Sequence, residues 1–217
     1  MGVLPGIGGL VGGAANPPKV TYLGGFPNAG NIVVPRPGLL VVMAGGWRSG
    51  SGTRQVSAIS IGGNSAAPNA RPNAQFGCVG LRAREVAAGS IAISASFSGS
   101  LTNGYAISCA LVEEYGSNAV QAVYNGTTYG TGIDTRKVDL TYPDPSVGIW
   151  AHTHAGGALC TGAVEGDLLN SRNDLADGQA YSLGVHSSGG GEGLVTSYFD
   201  PFAGTLYNGV SCGILLK

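Results

Sequence analysis

The stretch PRPGLLVVMAGGW, Pro35–Trp47, decides the fold class of this 217-residue chain. Its two prolines disfavour helix, and the apolar run that follows them is much shorter than a membrane-spanning helix. Leu39–Met43 is apolar at every position, which is typical of a central β-strand covered on both faces. We therefore expect a buried strand with a sandwich core on one side. The second cover would be either the N-terminal segment or a neighbouring subunit.

The same pattern returns as PDPSVGIWAHTHAGG at Pro143–Gly157. Two further landmarks recur in the same order, at offsets of 102 and 103 residues: Tyr22 with Tyr124, and Cys109 with Cys212. Such self-similarity predicts a duplicated strand meander, with its halves at residues 19–115 and 119–217. The alternative is chance, because β-proteins reuse Gly, Pro and alternating valines.

Glycine and proline occur throughout the chain. There are 39 Gly and 11 Pro, and the aliphatic residues stand in short blocks between them, as in proteins built from many short strands and turns. Helix is plausible only over Asp167–Asp177, for a turn or two. We predict an all-β fold, a jelly-roll-like antiparallel β-sandwich over residues 19–217 with an extended N-terminal arm. The sandwich could consist of two similar halves.

Charged residues are scarce. They make up 11% of the chain, against roughly 25% in an ordinary soluble domain. Burial of the surface against other chains explains this depletion, and it predicts a homo-oligomer or a larger assembly. The alternative is a secreted domain coated with Ser, Thr, Asn and Gly. A net charge of −1 with only three lysines argues against binding of nucleic acid.

Residues 1–18, MGVLPGIGGLVGGAANPP, carry no charge. Pro5 and several glycines interrupt the apolar run, and no basic residue precedes it, so the segment matches neither a secretory signal nor a membrane-inserted helix. We expect an extended arm that orders by lying on a neighbouring subunit, and the alternative is a frayed tail. The apolar residues that would anchor this arm are Val3, Leu4, Ile7, Leu10 and Val11.

The sequence AHTH holds the best candidates for chemistry. In an extended strand His152 and His154 point the same way as Trp150, and two such histidines could hold a metal. The spacing resembles the HxH motif of cupins, but a cupin glutamate is missing, since Ala158 and Leu159 stand where it would follow. The histidines are therefore weak metal candidates, and the alternative is a pair of surface histidines beside a tryptophan.

Phosphate-loop and paired-cysteine signatures are missing from the sequence. It contains no GxxxxGK[ST] and no paired cysteines at metal-ligand spacing. Strand alternation puts Cys109 and Cys212 on apolar faces, so both are expected to be buried small hydrophobes rather than ligands. We predict a non-enzymatic protein with no cofactor.

Residues 115–135 are rich in Tyr, Asn, Gly and Thr, a composition that suits an adaptable contact surface. Tyr124, Tyr129 and Trp150 are the candidates for contact with a host-surface glycan or protein.

Five stretches in succession carry a family resemblance: VTYLGG, VPRPGLLVVMAGG, VSAISIGGNSAAP, GSIAISASFSG and YAISCALVEEYG. In this order they resemble β-sandwich proteins in the virions of tailed bacteriophages and gene transfer agents, among fibre, head-spike and tail-tip components. The resemblance covers residues 19–115 and continues more loosely to residue 217. It implies a structural role within the virion, often as a symmetric oligomer attached through one end to other virion proteins.

We therefore expect a structural virion protein, anchored by its arm and presenting a sandwich for assembly or host contact. One alternative is a carbohydrate-binding module or adhesin that uses exposed Trp47 and Trp150. A second alternative is a metal-dependent jelly-roll enzyme that uses His152 and His154.

Overall fold

The computed structural model describes most of the chain as strands and short connections. The backbone is described for residues 18–47, 53–72, 77–101, 104–115, 120–125, 135–142, 147–155, 160–164, 167–175, 179–186, 191–199 and 209–216. Side chains are described for residues 18–46, 53–72, 77–101, 104–115, 147–153 and 210–216. Within these ranges the secondary structure is antiparallel β-sheet without helix, which confirms the all-β prediction.

Sixteen strands follow one another along the chain. The first eight are β1 (Lys19–Pro27), β2 (Gly30–Val34), β3 (Gly38–Trp47), β4 (Val56–Ile61), β5 (Asn64–Ala66), β6 (Gly77–Val86), β7 (Gly89–Phe97) and β8 (Tyr105–Glu113). The second eight are β9 (Val120–Asn125), β10 (Thr135–Tyr142), β11 (Val147–Ala155), β12 (Cys160–Val164), β13 (Asp167–Leu175), β14 (Gln179–His186), β15 (Gly191–Phe199) and β16 (Gly209–Leu216). The helical turn expected at Asp167–Asp177 was wrong, because β13 pairs there with β14.

Strands β1 to β8 form a first sandwich of two sheets. The central sheet has the order β1-β8-β3-β6, and the outer sheet has the order β2-β7-β4-β5. Strand 1 thus pairs with 8, 2 with 7, 3 with 6 and 4 with 5, all antiparallel. These are the pairings of one long hairpin rolled upon itself.

Strands β9 to β16 follow nearly the same plan. The C-terminal sheet has the order β13-β14-β11-β16-β9, and the small sheet has the order β10-β15-β12. The run β9-β16-β11-β14 repeats the central sheet with each strand number raised by eight. The exception is β13. Its counterpart in the first half, β5, lies in the outer sheet beside β4, whereas β13 pairs with β14 in the C-terminal sheet. The duplication of residues 19–115 and 119–217 stays a prediction, and this correspondence in strand order supports it.

The central sheet is covered on both faces. Leu40 and Val42 pack in the core that it shares with the outer sheet. Val41 and Met43 point the other way, into a core that includes Ile149 and other side chains of β11 and β16. The double cover predicted for β3 is therefore confirmed. The expectation that the arm or a neighbouring subunit supplies the second cover was wrong, since the C-terminal sheet of the same chain lies there.

The described part of the chain holds no helix with the length and apolarity needed to cross a bilayer.

Candidate functional site

Trp150 and His152 lie inside the protein. Both side chains are fully buried, and their ring centroids are 5.0 Å apart. Their neighbours Ile149 and Ala151 alternate with them and pack toward the central sheet, so Trp150 and His152 face the opposite side of the C-terminal sheet. The small sheet contacts the C-terminal sheet through β10 and β12. Because both faces of β11 are covered, the prediction of Trp150 as a surface contact was wrong, as was that of a surface His152.

The weak metal candidates at AHTH, His152 and His154, stay an untested alternative to the prediction of no metal. Among the described residues no three His, Cys, Asp or Glu side chains come together as a group that could hold a metal ion. The side chain of His154 lies outside the described residues.

Several other predicted site residues also lie outside the described part of the chain. They are Val3, Leu4, Ile7, Leu10, Val11 and Tyr129. Tyr124 is described in its backbone, which pairs with Gly213 across β9 and β16. The anchoring role of the arm and the surface role of the two tyrosines therefore stay predictions.

Cys109 and Cys212 are buried free thiols, as the alternation predicted. Burial raises the pKa of the Cys109 thiol to about 12 and that of the Cys212 thiol further still. Both thiols therefore stay protonated at neutral pH, which suits packing rather than nucleophilic or ligand chemistry.

Arginines on β6 make a feature that the sequence reasoning missed. Arg82 and Arg84 are two residues apart, so they project from the same face of β6, the end strand of the central sheet. The Arg82 guanidinium donates to the carbonyl oxygens of Ile59 and Asn64 and to Asn64 Oδ1. Arg84 Nη1 donates to the carbonyl oxygen of Ile61. The two side chains thus cross from the central sheet to β4 and β5 of the outer sheet.

A third arginine extends this feature along β4. Arg71 Nη1 donates to the carbonyl oxygen of Ser57 at 3.4 Å. Ser57, Ile59 and Ile61 alternate along one strand, so the three residues that accept from these arginines span about 13 Å. We call Arg71, Arg82 and Arg84 the arginine row.

The carboxylates of residues 1–115 do not lie beside the arginine row. Residues 1–115 contain three acidic residues, Glu85, Glu113 and Glu114. Glu85 alternates with Arg84 on β6 and so lies on the other face of the central sheet, where Tyr115 donates a hydrogen bond to it. Inside the row, burial and then the positive charge of Arg84 lower the pKa of Arg82. The arginine row is therefore a cluster of positive charges whose described hydrogen-bond acceptors are mainly backbone carbonyl oxygens.

Formal charge is divided unequally between the two halves. Residues 1–115 contain seven basic and three acidic side chains, a net charge of +4 with histidine neutral. Residues 116–217 contain four basic and nine acidic side chains, a net charge of −5. The net charge of −1 is thus the sum of two halves whose net charges have opposite signs.

An ionic cavity lies at one end of the central sheet. It is open, has a volume of about 390 Å³ and is lined by Lys19, Arg36, Pro37, Gly38, Glu113, Glu114 and Tyr115. Lys19 is the register partner of Glu113, and Arg36 Nε forms an ion pair with the Glu113 carboxylate. Burial first, and then the Glu85 charge and hydrogen bond, raise the pKa of Tyr115. The cavity thus contains one ion pair, and it lies at the beginning of β1.

Comparison with protein-family models, curated proteins and solved structures gives no match. The function is therefore argued from the residues and their arrangement.

Proposed function

We propose that this chain is a non-enzymatic structural subunit of a virus particle, of the kind found in tailed bacteriophages and gene transfer agents. In this proposal it self-associates, contacts other virion proteins through its N-terminal arm, and presents its sandwiches for assembly or host contact. The observation that carries the proposal is the exposed face of the outer sheet.

That face, which we call the flat face, carries no charged side chain on the four strands of the outer sheet. Its exposed side chains on β2 and β7 are Asn31, Val33, Ser90, Ala92 and Ser96. Val33 is 71% exposed. A shallow cavity of about 380 Å³ crosses the face beside Ala92 and Ser60. About one residue in four is charged in an ordinary soluble domain, and a face without charges suits close packing against another protein.

The strand order gives the proposal a second support. Eight-stranded jelly rolls recur in viral capsid proteins, and also in lectin domains and cupins. Fold likeness alone does not specify function, and the flat face favours assembly among these uses. The carbohydrate-binding alternative loses one of its two aromatic residues, because Trp150 is buried.

Adding a charge to the flat face is expected to weaken self-association. Val33→Asp puts a carboxylate where a neighbouring subunit would exclude water, and we expect the dissociation constant to rise at least about tenfold. Ala88→Asp adds the same charge at an exposed position in the turn between β6 and β7, and it should leave the constant within about threefold. Sedimentation velocity over a range of concentrations measures both. Equal behaviour of the two variants would remove the flat face from the proposal.

Deletion of residues 1–18 tests the anchoring arm. The full-length protein is expected to form a defined oligomer or polymer, and the shortened protein to dissociate at concentrations where the full-length protein does not. The native mass of both forms is the measurement, and circular dichroism checks that the sheets are retained. A clean monomer in both forms would contradict self-association, and unchanged assembly after the deletion would contradict the role of the arm.

A further inference from the structure

We infer that strand β2 pairs with β2 of a second copy, so that the outer sheets of two subunits join edge to edge into one antiparallel sheet. This inference rests on the proposed self-association and names the contact that produces it. The observation behind it is a set of backbone hydrogen-bonding groups on β2 that point away from the rest of the outer sheet.

The register of the outer sheet shows which way the backbone of β7 points. The Gly62 N–H donates to the Ala92 carbonyl oxygen at 2.8 Å, so the backbone groups of Ala92 face β4. Backbone groups point to alternate sides along a strand, so those of Ile91 and Ile93 face β2. These two residues therefore carry the hydrogen bonds from β7 to β2.

The same alternation defines the free edge of β2. The register partners of those two residues are Ile32 and Gly30, whose backbone groups therefore face β7. Asn31 and Val33 alternate with them, so their N–H and C=O groups point outward from the edge of the sheet. Both residues are exposed, and no other described strand pairs with this edge. Two donors and two acceptors are thus accessible to another strand.

Strand β2 also lacks the features that usually keep a sheet edge from pairing with another chain, which are charges, prolines, bulges, short length or a covering segment. The edge strand β1 has Lys19, Pro27 and a register shift after Tyr22. Strand β5 has only three residues, and the edge of β6 is covered by the bridge from Ala70 to Leu81. Strand β2 has five residues without charge, proline or register shift, so it is the least protected edge of the first sandwich.

A second β2 fits this edge best in one register. If Asn31 of each copy lies opposite Val33 of the other, a twofold axis passes between the two Ile32 residues, and all four outward N–H groups find carbonyl partners. A shift by two residues in one direction puts Asn31 opposite Pro35, which has no N–H. A shift in the other direction uses Ala29, which precedes the strand.

This pairing also suits the charges and the flat face. Arg36, the first charged residue after β2, follows one end of the strand, so an antiparallel pair puts the two copies of Arg36 at opposite ends of the contact. The twofold axis is perpendicular to the sheet, so the flat faces of both copies lie on the same side. Val33 of one copy then lies beside Asn31 of the other in one continuous uncharged surface.

The experiment compares the wild type, Asn31→Pro and Ser65→Pro by sedimentation equilibrium, with circular dichroism and urea unfolding as checks of the fold. Proline at position 31 removes an outward N–H and leaves the bonds to β7 in place. Two of the four intermolecular N–H donors are then lost, and we expect the dissociation constant to rise at least about tenfold.

Ser65→Pro is the matched control at the opposite edge of the same sheet. Ser60 lies two residues before Gly62 and so faces β7, which means that its register partner Ser65 points outward from β5. Its dissociation constant should stay within about threefold of the wild type.

Amide hydrogen exchange of the wild type tests the contact without a substitution. At concentrations where the protein is associated, the Asn31 and Val33 amides should exchange at least about tenfold more slowly than after dilution to monomer. The Ser65 amide should exchange equally in both conditions. Equal exchange of the Asn31 and Val33 amides in the two conditions would overturn the inference.

The other outcomes separate this inference from the proposed function. If Asn31→Pro associates like the wild type while Val33→Asp does not, the flat face carries self-association without pairing of β2, and the inference is wrong while the proposed function stands. A wild type that is monomeric at every concentration would overturn both. If the protein without residues 1–18 still associates but no longer protects the Asn31 and Val33 amides, the strand on this edge is the arm, and the inference is wrong.

Discussion

Replacing Trp150 by alanine is expected to lower the free energy of unfolding by about 3–5 kcal/mol. Trp150 is the largest of the fully buried side chains described, and it lies in β11 between two covered faces. Removing the indole deletes apolar contacts and leaves a cavity that the surrounding sheets can only partly close. Urea unfolding followed by circular dichroism measures the loss. Val33→Ala, at a position that is 71% exposed, should change stability by less than about 0.5 kcal/mol.

The same variant separates the structural account from the carbohydrate-binding alternative. If Trp150→Ala leaves stability within about 1 kcal/mol of the wild type and abolishes glycan binding by a folded monomer, the side chain must be at the surface. That result would contradict the burial of Trp150 and favour an adhesin.

Replacing Arg82 by methionine is expected to lower the free energy of unfolding by about 3 kcal/mol. Methionine keeps much of the volume, but the Ile59 and Asn64 carbonyl oxygens and Asn64 Oδ1 lose their donor. The buried Ile59 oxygen costs about 1–3 kcal/mol when it is left without a partner, and the loss at exposed Asn64 adds less because water can replace the donor. Part of this cost is offset because the charge of Arg82 no longer has to be buried. Urea unfolding again measures the change.

Arg84→Met is the matched control for this prediction. It lies on the same strand and the same face as Arg82, but it is less buried and donates one described bond, to Ile61. We expect it to cost about 1 kcal/mol. If both variants cost the same, or if Arg82→Met costs nothing, Arg82 does not hold the central and outer sheets together.

Much of the first sandwich could be predicted from local patterns. The doubly apolar run Leu39–Met43 correctly indicated a strand with two covers, because side chains alternate between the two faces of a sheet. In β7, Ile91, Ile93, Ala95 and Phe97 alternate with small residues, a pattern that likewise indicates one core-facing side, and Ile93 is 1% exposed. Such signals depend only on neighbours along the chain, so the sequence alone could carry them.

The features that the sequence did not predict depend on contacts between residues that are far apart in the chain. The second cover of β3 is a sheet that begins after residue 119, and no pattern near β3 identifies it. Trp150 and His152 lie on the same side of β11, and two histidines at alternate positions suggested an exposed side until both faces of β11 were seen to be covered. Asp167–Leu175 has little alternation, and its register shifts twice against β14, so backbone pairing rather than a hydrophobic pattern defines that strand.

The arginine row was also hidden by distance along the chain. Its arginines lie 14 to 23 residues from the β4 residues that accept their hydrogen bonds, and they come together because β6, the end strand of the central sheet, contacts β4 of the outer sheet. Two signals could have pointed to it. Arg82 and Arg84 interrupt an apolar strand on one face, and the first half of the chain has few carboxylates to pair with its arginines.

The central claim, that this chain is a structural subunit of a particle, is tested most directly by finding where it sediments. Particles released from cells that express the chain from its own locus would be separated on a density gradient, and the chain would be quantified in each fraction by mass spectrometry against the most abundant coat protein. The account predicts that the chain peaks with intact particles at a constant ratio to that coat protein. A chain that stays in the soluble fractions at the top of the gradient, while the particles form without it, would contradict the account.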